Sequence, residues 1–177
     1  GMCLYFNGQD EMARVAHSPS LALSHFGEFT VEAWVRMDSV MPGKRVLIRK
    51  SGTAWELCLV NGNQATFGVF DSSMQTAVSS TILKPGRWHH IAGVYSGRDA
   101  VVYVDGEPTG SVSTGALSHS PNTDLLIGGD PQQSGEYWRG WMDEVRIWRR
   151  ALDQEELRNN MYCTLPHPQL QDGLSAY

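Results

Sequence analysis

The chain has 177 residues, a length that suits one compact domain with its own hydrophobic core. Its formal charge is −5, from 14 Lys and Arg against 19 Asp and Glu, so it lacks the positive surface that nucleic acid or an anionic membrane would need. No apolar run approaches the roughly 18 residues of a membrane-spanning helix, which argues against membrane insertion. The first residues show no signal-peptide pattern, and we expect any export signal to lie upstream of this sequence.

Short β-type runs separated by turn residues follow one another along most of the chain, which predicts a sandwich or barrel. In FTVEAWVRM (29–37) alternate residues share a face, so the face that begins with Phe29 should be core. Asp105 and Gly106 predict a tight hairpin turn, and Pro108 predicts an edge position. The other predicted strands lie in CLYF, RVLIRK, WELCLV, ATFGVF, WHHIAGVY, AVVYV, DLLIGG and MDEVRIW.

One helix is predicted, within ALDQEELRNNM (151–161). Asp153 is a suitable N-cap, and Glu156 three residues later can complete a capping box. Leu157 and Met161 are four residues apart and supply an apolar stripe with which the helix can dock.

The sequence predicts a folded domain over 1–163 and a linker or tail over 164–177, where two prolines interrupt regular structure. The chain has three cysteines, which cannot all pair with one another. Cys58 has apolar neighbours and is predicted to be a buried free thiol. If the ends of the domain meet, a disulfide between Cys3 and Cys163 would stabilise the fold by up to about 5 kcal/mol and indicate an oxidising compartment.

Several segments occur in a fixed order, namely LYFNGQDEMARV, SPSLALSHFGEFTVEAWVR, PGRWHHIAGVYSG, VVYVDGEPTGSV, LLIGG and GWMDEVRIWRRALDQEEL. In this order they resemble the laminin G-like jelly-roll domains of the concanavalin A-like lectin and glucanase superfamily, whose relatives include pentraxins. The resemblance covers roughly residues 3–161. It implies an all-β fold, a two-sheet antiparallel jelly-roll sandwich with one short C-terminal helix. It also implies that the first and last strands are neighbours, which would bring Cys3 near Cys163.

Some members of this superfamily are glycoside hydrolases, which need two carboxylates about 5.5 Å apart on one face. On a strand such acids stand two or four residues apart, and the sequence contains no such run. Asp143 and Glu144 are adjacent and should point to opposite faces, and the adjacent His89 and His90 should diverge in the same way. We therefore predict no catalytic residue, and we keep a glycan-active enzyme as the alternative.

The resemblance also implies a structural Ca²⁺ ion, the one cofactor that we expect. Its oxygen ligands would be Asn7, Asp10 and Asp143, which join the N-terminal strand region to the last strand. The same residues have another explanation, because Asp10 can cap a turn and Asp143 can accept hydrogen bonds from backbone amides.

Sugar recognition combines an aromatic ring with hydrogen-bonding groups around it. The aromatic candidates, each of which could instead be a core residue, are Trp55, Phe70, Tyr137 and Trp138. Arg146 could form a structural ion pair with Glu32 of a neighbouring strand, or it could bind a ligand hydroxyl or carboxylate on the concave face.

Together these observations predict a non-catalytic, lectin-like recognition module that binds carbohydrate or an extracellular protein surface through its loops and concave face. We expect it to belong to a larger exported protein at the cell surface or outside the cell. A structural spacer or adhesion domain is the other alternative, and the oligomeric state is left open.

Overall fold

The structure is a computed structural model that describes residues 3–23, 27–50, 54–61, 63–117, 122–133, 135–163 and 173–176. It is an all-β sandwich of two antiparallel sheets, as predicted, with a 3-10 helix at Pro19–Leu21 and an α-helix, α1, at Gln154–Asn160. The seven-stranded sheet contains, in spatial order, β1 (Leu4–Asn7), β12 (Arg139–Trp148), β3 (Phe29–Met37), β8 (His89–Tyr95), β9 (Asp99–Val104) and β10 (Glu107–Ser113), with β13 (Leu174–Ala176) also paired to β12. The six-stranded sheet contains β2 (Ala13–Val15), β11 (Leu125–Ile127), β4 (Arg45–Lys50), β5 (Trp55–Val60), β6 (Gln64–Phe70) and β7 (Met74–Ile82).

The hydrophobic core lies between the two sheets. The alternate β3 residues that begin with Phe29 all face it, as the period of two predicts. From the six-stranded sheet, Phe67 meets Phe29 edge to face, with ring centroids 5.9 Å apart. Gly93 in β8 makes this approach possible, because a Cβ atom there would lie 2.3 Å from the Phe67 ring. The close contact between the sheets therefore requires glycine at this position.

The first and last long strands are neighbours, which confirms what the resemblance implied. β1 pairs with β12, with Leu4 opposite Met142 and Asn7 opposite Arg139. The other edge of β12 pairs with β3. The N-terminal strand is thus held in the sheet by the strand that precedes the helix.

A β-bulge in β12 interrupts the strict alternation that was predicted to place Asp143 and Glu144 on opposite faces. The pairing register with β3 shifts between Asp143 and Arg146, and Glu144 adopts a φ of 50°. Because of the bulge, apolar residues before it and after it face the core. Glu144 forms an ion pair of 2.6 Å with Arg146. The residues of β12 that consequently lie on the outer face of the sheet are Trp141, Asp143, Arg146 and Trp148.

The helix α1 begins as predicted. The side chain of Asp153 accepts a hydrogen bond of 2.8 Å from the backbone N of Glu156, whose own side chain accepts one of 2.9 Å from the backbone N of Asp153. Leu152 and Leu157 pack with Trp148 on the outer face of the seven-stranded sheet. The helix therefore covers part of that face.

Part of the predicted linker belongs to the sandwich. β13 (Leu174–Ala176) pairs with β12, and this pairing continues the sheet beyond the predicted domain boundary. Residues 164–172 and 177, which were predicted to belong to the linker, lie outside the described residues. In the part of the chain that is described, no helix has both the length and the apolar character needed to cross a membrane.

All three cysteines are free. Cys58 is buried, which confirms its prediction, and burial, followed by the nearby Glu56 carboxylate, raises the pKa of its thiol. Cys3 and Cys163 are exposed, and the possible disulfide between them is not formed in this structure.

Alkylating the folded protein with iodoacetamide in the absence of reductant should therefore add two adducts, on Cys3 and Cys163. The thiolate is the reactive form, and burial keeps Cys58 both protonated and inaccessible. Intact mass spectrometry counts the adducts. A Cys58→Ala variant is the control and should also take up two, whereas a folded protein that takes up none would show that Cys3 and Cys163 are joined.

Candidate functional site

A groove crosses the outer face of the six-stranded sheet. The strand register places one residue from each strand in a row, which runs Arg14, Leu126, Arg49, Glu56, Gly68 and Thr76. At the usual spacing between strands this row is roughly 24 Å long. Two cavities of about 440 and 460 Å³ lie along it, and Asp130 and Gln132 line both of them. The cavities are therefore two parts of one groove.

Arg49 is the central residue of the groove. Its Nη1 donates to Asp130 Oδ2 at 2.7 Å, and its Nη2 donates to Glu56 Oε2 at 2.7 Å and to Glu136 Oε2 at 2.8 Å. Glu56 belongs to β5, whereas Asp130 and Glu136 come from the connection between β11 and β12. One guanidinium thus ties two strands to the segment that borders the groove.

The surroundings of Arg49 favour its charged form. Burial alone would lower the pKa of the Arg49 guanidinium, but the attraction of Glu56 and the hydrogen bond to Asp130 raise it above its usual value. The guanidinium and the three carboxylates therefore form one cluster in which opposite charges are in direct contact.

The sequence did not predict this cluster of acids. Glu56 stands alone in its strand, but the fold brings Glu136 to the same nitrogen of Arg49. The two carboxylates are consequently close neighbours, although no strand carries them as a spaced pair. The only local signal was an arginine and an acid at outward positions of adjacent predicted strands.

The rest of the groove is polar with a small apolar part. Lys44 forms an ion pair with the second oxygen of Glu56, and Gln133 is exposed on the rim. Met74 is 38% exposed and lies over Gly68, where a Cβ atom would be 2.9 Å from the methionine sulfur. Glycine therefore keeps the floor of the groove low beside Met74. The charged residues that line the first cavity are Lys44, Arg49, Lys50, Glu56, Asp130 and Glu136, and their formal charges cancel.

Two of the four aromatic candidates for sugar contact, Trp55 and Trp138, are buried, so their prediction is wrong. Trp55 lines the first cavity but is only 2% exposed, and it packs against Phe29 with ring centroids 5.6 Å apart. Trp138 is 1% exposed and belongs to the core. A ring that stacks on a sugar needs one open face, and neither indole has one.

The other two aromatic candidates are half-buried and lie at the borders of the groove. Phe70 ends β6 opposite Met74, on the same face as Gly68. Tyr137 lies against Gly129, where a Cβ atom would be 2.3 Å from its ring. Both stay candidates for ligand contact.

Arg146 is part of the structural framework, which is the first of the two alternatives. It is 1% exposed, and its Nη1 lies 3.7 Å from Glu32 Oε1. It also donates hydrogen bonds to the carbonyl oxygens of Asn160, at 2.9 Å, and Cys163, at 2.6 Å. The predicted ion pair is therefore present, but it lies beneath the C-terminal segment on the other sheet, and the interpretation of Arg146 as a ligand contact is wrong.

The predicted calcium ligands do not converge. Asn7 Oδ1 accepts hydrogen bonds from the backbone N–H groups of 9–11, and its amide donates to Asp10 Oδ1 at 2.9 Å. Asp143 lies four residues along β12 from Arg139, the partner of Asn7, so it is roughly 13 Å away along the strand. Among the described residues no group of three or more His, Cys, Asp and Glu side chains is placed to hold a metal ion. These residues do not fit a Ca²⁺ site, and comparing the melting temperature in EDTA with that in Ca²⁺ tests calcium binding itself.

Comparison with known proteins identifies a family. The chain matches the family model of the concanavalin A-like lectin/glucanases superfamily over residues 4–158. A stretch of 81 residues is 33% identical to the human adhesion G-protein coupled receptor D1. This stretch covers 44% of this chain and 9% of the receptor. The chain therefore spans only a small part of that curated relative.

Solved structures share the fold at low sequence identity. A Bacteroides ovatus protein proposed to bind carbohydrate has a TM-score of 0.74 at 20% identity, over 97% of this chain and 51% of that one. The native heptameric SAP-like pentraxin of Limulus polyphemus has a TM-score of 0.67 at 16% identity, over 87% of this chain and 78% of that one. Domain 4 of a GH43 extracellular arabinanase from Geobacillus stearothermophilus, in complex with arabinotriose, has a TM-score of 0.68 at 18% identity, over 89% and 75%.

Proposed function

The chain belongs to the concanavalin A-like lectin/glucanases superfamily, and on this basis we propose that it is a non-catalytic module that binds carbohydrate in the groove across its six-stranded sheet. The observation that carries the proposal is the groove itself, with cavities of about 440 and 460 Å³ lined mainly by hydrogen-bonding side chains. Sugar hydroxyls both donate and accept hydrogen bonds, and the groove offers partners of both kinds.

The charge of the groove favours an uncharged saccharide. The cationic and anionic side chains of the first cavity balance, so an anionic sugar would meet as much repulsion as attraction. Met74 beside Gly68 supplies the apolar contact that the C–H groups of a sugar ring need. Arabinotriose in domain 4 of the Geobacillus stearothermophilus arabinanase is consistent with a neutral ligand for a domain of this fold.

A non-catalytic role is supported by the way the acids of the groove are held. Glu56 and Glu136 both accept hydrogen bonds from Arg49, so their oxygens are engaged within the protein. Glycoside hydrolysis needs one of its two carboxyl groups protonated before it can protonate the leaving oxygen. A binding role follows more directly from this arrangement than an enzymatic one.

We also propose that the module works outside the cell, as part of a longer protein. The similarity to an adhesion receptor over 81 residues supports this setting. A spacer in such a protein would have no need of a groove with this lining, whereas a recognition module would.

Isothermal titration calorimetry with arabinotriose and other neutral oligosaccharides tests the proposal. We expect saturable binding that a double variant, Gln132→Ala with Gln133→Ala, weakens at least fivefold, since each lost hydrogen bond costs about 1 kcal/mol. Gln9→Ala, an exposed change in the loop after β1, is the matched control and should bind normally. Release of reducing ends from polysaccharides would instead support an enzyme, and failure to bind any saccharide would contradict the proposal.

A further inference from the structure

The part of the outer face of the seven-stranded sheet that α1 leaves uncovered carries a second set of aromatic side chains. In strand register, Tyr5 lies beside Trp141, which lies beside Arg36. In the next outward row Asp143 lies beside Trp34. Tyr162, just after the helix, completes the set. We call these six residues the aromatic face, and it lies on the opposite side of the sandwich from the groove.

The aromatic residues of this face form two pairs. The ring centroids of Tyr5 and Trp141 are 5.0 Å apart, and those of Trp34 and Tyr162 are 5.7 Å apart. Tyr5 is 43% exposed and Tyr162 is 74% exposed, and they are the two exposed aromatic side chains among the residues that the structure describes. Both pairs therefore present ring surface to solvent.

Hydrogen bonds hold these rings in place. The hydroxyl of Tyr5 donates to Asp38 Oδ2 at 2.9 Å, and Nε1 of Trp34 donates to the carbonyl oxygen of Met161 at 2.7 Å. Trp34 and Trp141 occupy diagonal positions on adjacent strands, which are typically 7–8 Å apart. One bound molecule can consequently contact both pairs.

Between the pairs lie two polar groups with free bonding capacity. Within the described part of the chain the exposed Arg36 guanidinium has no hydrogen-bond or ion-pair partner. Asp143 uses Oδ1 to accept a hydrogen bond of 2.9 Å from the backbone N of Glu144, and its Oδ2 has no protein donor there. A donor and an acceptor are thus available beside the rings.

We propose that the aromatic face is a second carbohydrate-binding surface, which takes a neutral saccharide. The apolar face of a pyranose ring would stack on the exposed aromatic pairs, and its hydroxyls would bind Arg36 and Asp143. Since the charges of Arg36 and Asp143 cancel, the surface has no preference for an anionic sugar. With one site on each side of the sandwich, a single copy of the domain holds two glycan chains.

A protein partner is a poorer match to this surface. A stable protein interface usually buries about 800 Å² on each side around a continuous apolar centre. Here the apolar area consists of two aromatic pairs with charged groups between them. Small patches of aromatic ring that alternate with polar groups suit a saccharide better than they suit the surface of a folded protein.

Titration of the intact protein with arabinotriose and other neutral oligosaccharides, followed by tryptophan fluorescence and calorimetry, tests the second site. We expect two binding sites in the unmodified protein. Tyr162→Ala or Arg36→Gln should weaken one of them by roughly threefold to tenfold, because the first removes a ring contact and the second a charged hydrogen-bond donor. Tyr162→Phe should restore the stacking, and Ile82→Ala, an exposed change on the other sheet, is the control.

The two proposals fail in different ways. Binding at a single site that the Gln132→Ala, Gln133→Ala double variant weakens and Tyr162→Ala does not would overturn the second site and leave the groove. The reverse pattern would keep the second site and overturn the groove. A third outcome is that Tyr162→Ala leaves saccharide binding unchanged but abolishes self-association of the protein in sedimentation. That result would show that the aromatic face is a protein interface and would overturn the inference.

Discussion

Replacing Arg49 with methionine should destabilise the protein by about 3–5 kcal/mol and abolish binding in the groove. Methionine keeps much of the side-chain volume but removes the positive charge. Glu56, Asp130 and Glu136 would then lose the guanidinium that all three share. Acids that are largely buried without a counter-charge are costly, and their repulsion would push the connection between β11 and β12 away from the sheet. Urea unfolding followed by tryptophan fluorescence measures the loss.

An exposed arginine in the same row provides the control. Arg14 forms an ion pair with Asp124, but its side chain is 67% exposed, so Arg14→Met should cost less than about 1 kcal/mol. Arg49→Lys should lie between the two, because an ammonium keeps the charge but cannot reproduce the four hydrogen bonds that the planar guanidinium makes to three carboxylates. Equal stability of Arg49→Met and Arg14→Met would show that the Arg49 cluster does not hold the groove together.

The substitution Glu32→Ala should cost a similar amount, about 3–5 kcal/mol. The Glu32 carboxylate is fully buried. Its Oε1 accepts a hydrogen bond of 2.9 Å from Trp148 Nε1, and its Oε2 lies 3.1 Å from His90 Nε2. Arg146, which holds the chain after α1, is the nearby positive charge at 3.7 Å. Removal of Glu32 would leave buried donors without their acceptor and weaken the attachment of the helix to the sheet.

Glu144→Ala is the matched control for this experiment. Glu144 also pairs with Arg146, at 2.6 Å, but its side chain is 23% exposed and water can replace it. We expect a smaller loss, about 1–2 kcal/mol, because Arg146 keeps its hydrogen bonds to the carbonyl oxygens of Asn160 and Cys163. Glu32→Gln keeps the shape and one acceptor oxygen and should be intermediate. If Glu32→Ala unfolds at the same urea concentration as Glu144→Ala, the buried cluster does not stabilise the helix in the way described.

Much of the framework could be predicted from short-range patterns. The alternation in β3 identified the face that packs in the core, and the spacing of Asp153 and Glu156 identified the start of α1. The pairing of Glu32 with Arg146 was one of two alternatives, and it depended on two predicted strands being neighbours, which they are. The core face of β3 and the start of α1 depend on residues within one strand or one turn, where the backbone geometry repeats every two or 3.6 residues.

The site residues were harder to predict, because a ring looks the same in a sequence whether it faces the core or the solvent. Trp55 and Trp138 are buried, whereas Tyr5 and Tyr162 are exposed, and no local pattern separated these two groups. Asp143 and Glu144 were placed on opposite faces by strict alternation, which the bulge at Glu144 interrupts. A single inserted residue changes the phase of every side chain after it.

The sequence by itself determined that the chain forms two pleated layers, which residues fill the space between them and where the helix starts. Tertiary structure alone decided which polar groups meet. Arg49 binds Asp130 and Glu136 across separations of 81 and 87 residues, and these acids lie in a connection with no repeating geometry. The aromatic face likewise forms only when β1 pairs with β12 and the chain after α1 returns to the sheet. Periodic backbone geometry encodes the face that a residue occupies, but the meeting of distant segments depends on how the whole chain packs.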